Sequence, residues 1–185
     1  MTRRARIAMD WTPRLAPAED IPALEALIPL SVRTLQAPHY SRAQIEAALG
    51  TVFGVDRQLI WDGTYFVVEH DAQLVGCGGG SRRKSLYGGD GGRAGEDAEL
   101  DSRRDRARIR AFFVHPAWAR RGIGRSIMTA CERAIVEADF RSVDIVATLA
   151  GEPLYASFGY AVVERYEIPA GGLKLPVVLM TRRLA

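Results

Sequence analysis

The sequence predicts an α/β (α+β) fold in which helices flank a mixed sheet. Three observations carry this. Apolar residues recur at helical spacing near the start, at Leu24, Leu27, Ile28, Val32 and Leu35. From Thr64 the pattern becomes β-type, in the runs Thr64 to Glu69 and Leu74 to Cys77. Further on, the strand-like runs Arg108 to Val114 and Val143 to Leu149 bracket one helical stretch, Ile123 to Ala138. A hairpin, then strand–helix–strand, then two last strands give a single α/β or α+β domain with a mixed sheet.

The elements follow in order. Trp11 to Leu15 reads as a short strand closed by Pro17, and Asp20 before Ile21-Pro22 as a helix start with an acidic cap. Pro29 is expected to bend or end that helix, with the pattern resuming at Val32. Ser41-Arg42-Ala43-Gln44 fits a capping box and Gly50 a stop, framing a second helix over Ile45, Ala48 and Leu49. The turn His70 to Gln73 makes a hairpin of the next two strands. Gly76, Gly78, Gly79 and Gly80 crowd the end of the second, either to make room for a substrate or to form a bulge and turn. Residues 82–107, glycine-rich and charged, read as a surface loop. After Leu149 come a short helix over Pro153 to Phe158, ended by Gly159, and two last strands, Tyr160 to Tyr166 and Lys174 to Thr181. With 185 residues and no repeat, residues 1–185 are expected to form a single domain.

Composition narrows the function classes. Hydrophobic residues make up 48% and charged residues 25%, with a net charge of only +3 and the two signs intermixed, which does not suggest a nucleic-acid binder. No apolar run reaches the roughly 18–20 residues that cross a bilayer. The basic start Met1 to Arg6 is followed at once by Asp10, Arg14, Glu19 and Asp20, so no signal-peptide core forms and a cytoplasmic protein is expected. Cys77 and Cys131, and His39, His70 and His115, are scattered without metal-ligand spacing, so no metal is expected; the cysteines read as small buried residues. Arg82-Arg83-Lys84 reads as a solvated charge run, the alternative being a patch that draws an anionic ligand.

The chemistry concentrates in Arg120-Arg121-Gly122-Ile123-Gly124-Arg125-Ser126, between the strand ending at His115-Pro116 and the helix from Ile123. The first turn of a helix has unpartnered N–H groups and a dipole that favours an anion. Gly122 and Gly124 let a phosphate approach the main chain, Arg120, Arg121 and Arg125 add charge, and Ser126 adds a hydroxyl. A P-loop would need a lysine here, and a dinucleotide fingerprint a glycine where Ile127 stands.

Val114 to Arg125 resembles the coenzyme-binding motif of the GNAT superfamily of acyl-CoA-dependent N-acetyltransferases, Arg/Gln-x-x-Gly-x-Gly/Ala. The motif's first position is Ala119 here, which shifts the expected binding onto the glycine backbone and Arg121. The resemblance extends from about residue 64 to the C-terminus. It implies a GNAT-like, mostly antiparallel central sheet with a splayed parallel pair, and Phe112, Phe113 and Val114 against the pantetheine arm of acetyl-CoA. Leu154 to Tyr160 is similar to the family's Tyr-x-x-x-Gly-Phe/Tyr segment, which implies that Tyr155 protonates the leaving thiolate. The asparagine many members carry after the preceding strand is replaced by Ala150-Gly151. The implied activity is direct acetyl transfer from acetyl-CoA, as co-substrate, to a primary amine of a small molecule or peptide. The rivals are a non-catalytic acyl-CoA-binding or sensor domain and a nucleotide-binding protein. Homodimers are common in the superfamily. For a base, Glu69, His115 and Asp105 are candidates by chain position alone.

Overall fold

The structure is a computed structural model that describes residues 10–184; the basic start Met1 to Arg6 lies outside the described residues. The strands are β1 (Arg14–Leu15), β2 (Tyr65–His70), β3 (Gln73–Ser81), β4 (Ala107–Val114), β5 (Ser142–Ala147), β6 (Ala161–Ala170) and β7 (Leu173–Arg183). The helices are α1 (Ile21–Leu35), α2 (Arg42–Ala48), α3 (Arg57–Trp61), α4 (Ile123–Glu137) and α5 (Glu152–Ser157). All seven strands join one sheet in the order β1-β2-β3-β4-β5-β7-β6. Every pairing is antiparallel except β4 with β5, which is the expected mixed sheet.

Alternating side chains send the sheet's apolar residues to opposite faces. Val67, Leu74 and Val177 meet α1, α2 and α3 on one side. Their neighbours Val68, Val75 and Val178 meet α4 and α5 on the other. The Ser41 capping box forms as expected. Asp20, by contrast, makes no cap: its carboxylate is held by Arg14 at 2.6 Å. Pro29 does not end α1, which continues to Leu35. Proline removes one intrahelical bond, and Leu24, Leu27, Ile28 and Val32 remain buried on one face across it.

The glycine run is the clearest departure from expectation. Gly76 to Gly80 lie inside β3, not beyond its end. A Cβ on Gly78 would strike Phe112 at 2.4 Å and Ile127 at 2.8 Å, and one on Gly79 would strike Leu59 at 2.5 Å. The missing side chains let α4 and α3 settle onto the two faces of β3, so these glycines serve packing.

The loop between β3 and β4 is tied down by charge. Arg83, far from being solvated, pairs with Asp62 at 2.7 Å. Arg110 of β4 is buried and meets Asp97 at 2.9 Å and Asp56 at 3.1 Å. Arg93 joins the same two carboxylates, Asp56 at 2.8 Å and Asp97 at 3.7 Å.

Candidate active site

Two local features open the middle of the sheet. Between Gly79↔Arg110 and Cys77↔Phe113 the register shifts by one residue. The extra residue on β4 is accommodated by Ala111 at φ 54°, an uncommon left-handed conformation for a side-chain-bearing residue, and the arrangement is a β-bulge. The buried Tyr65 hydroxyl donates to the Ala111 carbonyl at 2.9 Å and holds the bulge. On the other side, β4 pairs with β5 only at Ala107↔Val143 and Arg108↔Asp144. Beyond that point the two parallel strands part.

A cleft of about 600 Å³ enters the gap from the α4 side. Phe112, Phe113 and Val114 line it, with Arg120, Gly122, Ile123, Gly124 and Arg125 from the loop and α4, and Leu154 and Tyr155 from α5. The first intrahelical bond of α4 runs from the Ser126 N–H to the Gly122 carbonyl at 3.0 Å. The N–H groups of Ile123, Gly124 and Arg125 therefore have no acceptor within the helix. Gly122 takes φ 94° at the N-cap and supplies no side chain to cap them. A Cβ on Gly124 would stand 3.0 Å from Leu154 and 3.7 Å from Phe112, narrowing the passage between α4 and α5. The start of α4 thus presents free N–H groups beside Arg120 and Arg125 and next to the apolar side chains of Phe112 and Leu154.

Two of the expected cradle residues point elsewhere. The Arg121 guanidinium lies 4.8 Å over the Trp118 ring and does not line the cleft. The Ser126 hydroxyl donates to the Ile123 carbonyl at 2.8 Å. The cations in the cleft wall are Arg120 and Arg125. Arg121 contributes through its backbone: Trp11 Nε1 donates to its carbonyl at 2.7 Å. In a trans peptide the next N–H points the opposite way, so the Gly122 N–H is turned away from Trp11.

A second cavity of about 60 Å³ lies on the other side of the parted strands. It shares Gln36, Phe112, Phe113, Thr148 and Tyr155 with the cleft, so the two spaces meet at those residues. Tyr155 is buried at that junction, and its hydroxyl has no hydrogen-bond partner among the described residues. Burial raises the phenol above its usual value, with a smaller push from Cys131.

A family model described as an acetyltransferase (GNAT) domain matches residues 61–162, more than half of the chain. The chain belongs to the GNAT acetyltransferase family. No curated protein sequence matches it. Among solved structures, this GNAT chain is similar to a GCN5-related N-acetyltransferase of Rhodopseudomonas palustris, at 19% identity and a TM-score of 0.70, over 97% of this chain and 99% of that one. It is also similar to the PaiA N-acetyltransferase of Thermoplasma acidophilum, solved with coenzyme A, at 14% identity and a TM-score of 0.64, over 95% and 99% of the two chains. A third is YncA of Salmonella typhimurium, solved with acetyl-CoA, at 18% identity and 0.64, over 96% and 95%. At these identities the likeness is one of fold.

Several site residues were not legible in the GNAT motifs. Gln36 and His39, from the end of α1, line the cleft, and Gln36 Nε2 donates to Thr148 Oγ1 at 3.1 Å. The base candidates named by chain position line neither space. Glu69 holds Arg14 at 2.7 Å, Asp105 accepts from the Asp101 N–H at 2.8 Å, and His115 Nδ1 accepts from the Ala117 N–H at 3.1 Å.

Proposed function

We propose that this GNAT chain binds acetyl-CoA in the cleft at the start of α4 and transfers the acetyl group to a primary amine entering through the second cavity. The observation that carries this is the meeting of the two spaces at Tyr155 between parted parallel strands. The cleft fits the coenzyme in three respects: free N–H groups and Arg120 and Arg125 for the pyrophosphate, an apolar channel past Phe112 and Leu154, and no side chain on Gly124 to block it. Solved neighbours of this fold carry coenzyme A or acetyl-CoA.

The thioester supplies an activated acyl group: a C–N bond forms as the C–S bond breaks, the amine loses one proton and the sulfur gains one. Tyr155 is the donor to that sulfur. Its raised pKa keeps the hydroxyl protonated throughout neutral pH, and the burial that raises it would raise a thiolate in the same place. Direct attack is favoured over an acyl-enzyme. Burial pushes the Cys77 thiol up to about 12 and raises that of Cys131, and neither lines the cleft.

Thiol release from acetyl-CoA against an amine panel tests the proposal. Amine-dependent release is expected, and Tyr155→Phe should lower kcat by about 100-fold or more while leaving coenzyme affinity unchanged. Tight binding with no turnover on any amine would favour the sensor reading.

A further inference from the structure

The second cavity has an unusual wall for a site that must receive an amine. Phe53, Phe113, Ile168, Leu175 and Val177 line it, together with Tyr87 from the β3–β4 loop. Among the described residues lining it there is no carboxylate. The charged residue there is Arg110, whose charge is balanced by carboxylates although its Nε has no partner. Its guanidinium is shared with Asp97 and Asp56, it donates to the Ser85 carbonyl at 2.9 Å, and Arg93 balances the second carboxylate. The cavity is therefore electrically neutral, and the same ion cluster fixes Ser85 beside Tyr87.

Three polar atoms of the residues in that wall are unpartnered: the Tyr155 hydroxyl, Arg110 Nε and Gln36 Oε1, of which only the last is solely an acceptor. Gln36 Oε1 is buried and accepts no hydrogen bond, while the Nε2 of the same side chain is engaged by Thr148. A buried acceptor without a donor costs free energy that an entering N–H would recover. The volume, about 60 Å³, has room for roughly four water-sized groups.

We infer that the acceptor is a compact amine on an uncharged, apolar body, carrying no second ammonium and no carboxylate near the reacting nitrogen, and that Gln36 Oε1 takes one of its N–H bonds. This rests on the acetyl-transfer reading above and narrows its substrate. A second charge would be stripped of water with nothing to pair it. The neutral wall also performs a step for which no carboxylate is present. A low-dielectric cavity lowers the pKa of a bound ammonium, so the amine arrives at the junction with its lone pair free. Transfer from the neutral amine then forms the C–N bond and breaks the C–S bond; the nitrogen gives up one proton, the sulfur gains one, and the products are the amide and the free thiol.

Three acceptors that share a three-carbon chain test this with the full chain and acetyl-CoA: propylamine, β-alanine and 1,3-diaminopropane. The expected result is a kcat/KM for propylamine more than about 10-fold above each of the others. Gln36→Leu should raise the propylamine KM about 3–10-fold with the acetyl-CoA Kd unchanged, a split that general loss of structure would not produce. A ratio of about 10 or below, or turnover confined to polyamines, amino acids or peptides, overturns the inference and leaves acetyl transfer standing. An unchanged KM in Gln36→Leu overturns the role of Gln36. Absence of turnover with every amine in the wider panel removes both.

Discussion

Trp11 shows how one residue far along the chain can set a binding loop. Its indole packs edge-on against Trp118 and His70, each with a ring separation of 5.7 Å, and its N–H orients the Arg121–Gly122 peptide. Trp11→Phe keeps the ring contacts and removes the donor. Coenzyme A affinity should fall about 3–10-fold, the worth of one ordinary hydrogen bond, while a pantetheine thioester lacking the pyrophosphate binds as before. Equal loss for both ligands in a titration would refute the orienting role. Gly122, Gly124 and Tyr155 were visible in the sequence because their chemistry is local to two short motifs. Trp11 and Gln36 were not: their contacts span 110 and 112 residues, and nothing in their neighbourhoods marks them.

At the scale of elements, the site depends on α4 packing closely on β3. Gly78 sits under Phe112, which lines the cleft, and Ile127 of α4. Gly78→Ala should destabilise the fold by about 1–3 kcal/mol through overpacking, lowering Tm by about 2–4 °C per kcal/mol. A Tm equal to that of the unmodified chain would show that α4 adjusts freely. The elements with strong period or caps, α1, the capped α2, α4 and the β2–β3 hairpin, were legible in the sequence. The five-residue α3 was not, since it is too short to display a period. The glycine run was misplaced because a glycine that permits close packing from both faces looks, in sequence, like one that permits a turn. The splay between β4 and β5 came from family resemblance, and the bulge on the other edge of β4 was not legible because it is held by a tertiary contact, that of Tyr65 with Ala111.

For the whole molecule, charge holds the long loop over the sheet. Burial opposes ionisation of Asp97, yet hydrogen bonds from the Ser85 N–H and from Arg110 leave its pKa below the usual value, and Arg83 lowers that of Asp62. A depressed folded-state pKa gives stability that is present above the unfolded value of about 4 and lost as pH falls through the folded one. Tm should thus hold between about pH 7 and 5 and drop below about 4. Asp97→Asn should start lower and show a shallower acid slope; identical slopes would place the acid sensitivity elsewhere. That loop was legible only as a charged, glycine-rich excursion, because which of its charges would be buried depends on Arg110 and Asp56 in other elements.

The measurement that bears most directly on the central claim is a calorimetric titration of coenzyme A into the full chain and into Gly124→Glu, whose carboxylate would stand in the passage beside Leu154. The account predicts saturable binding to the unmodified chain and loss of at least about 100-fold in affinity in the variant, with the fold intact by circular dichroism. Equal affinity in the two proteins, or no binding to either, would contradict it.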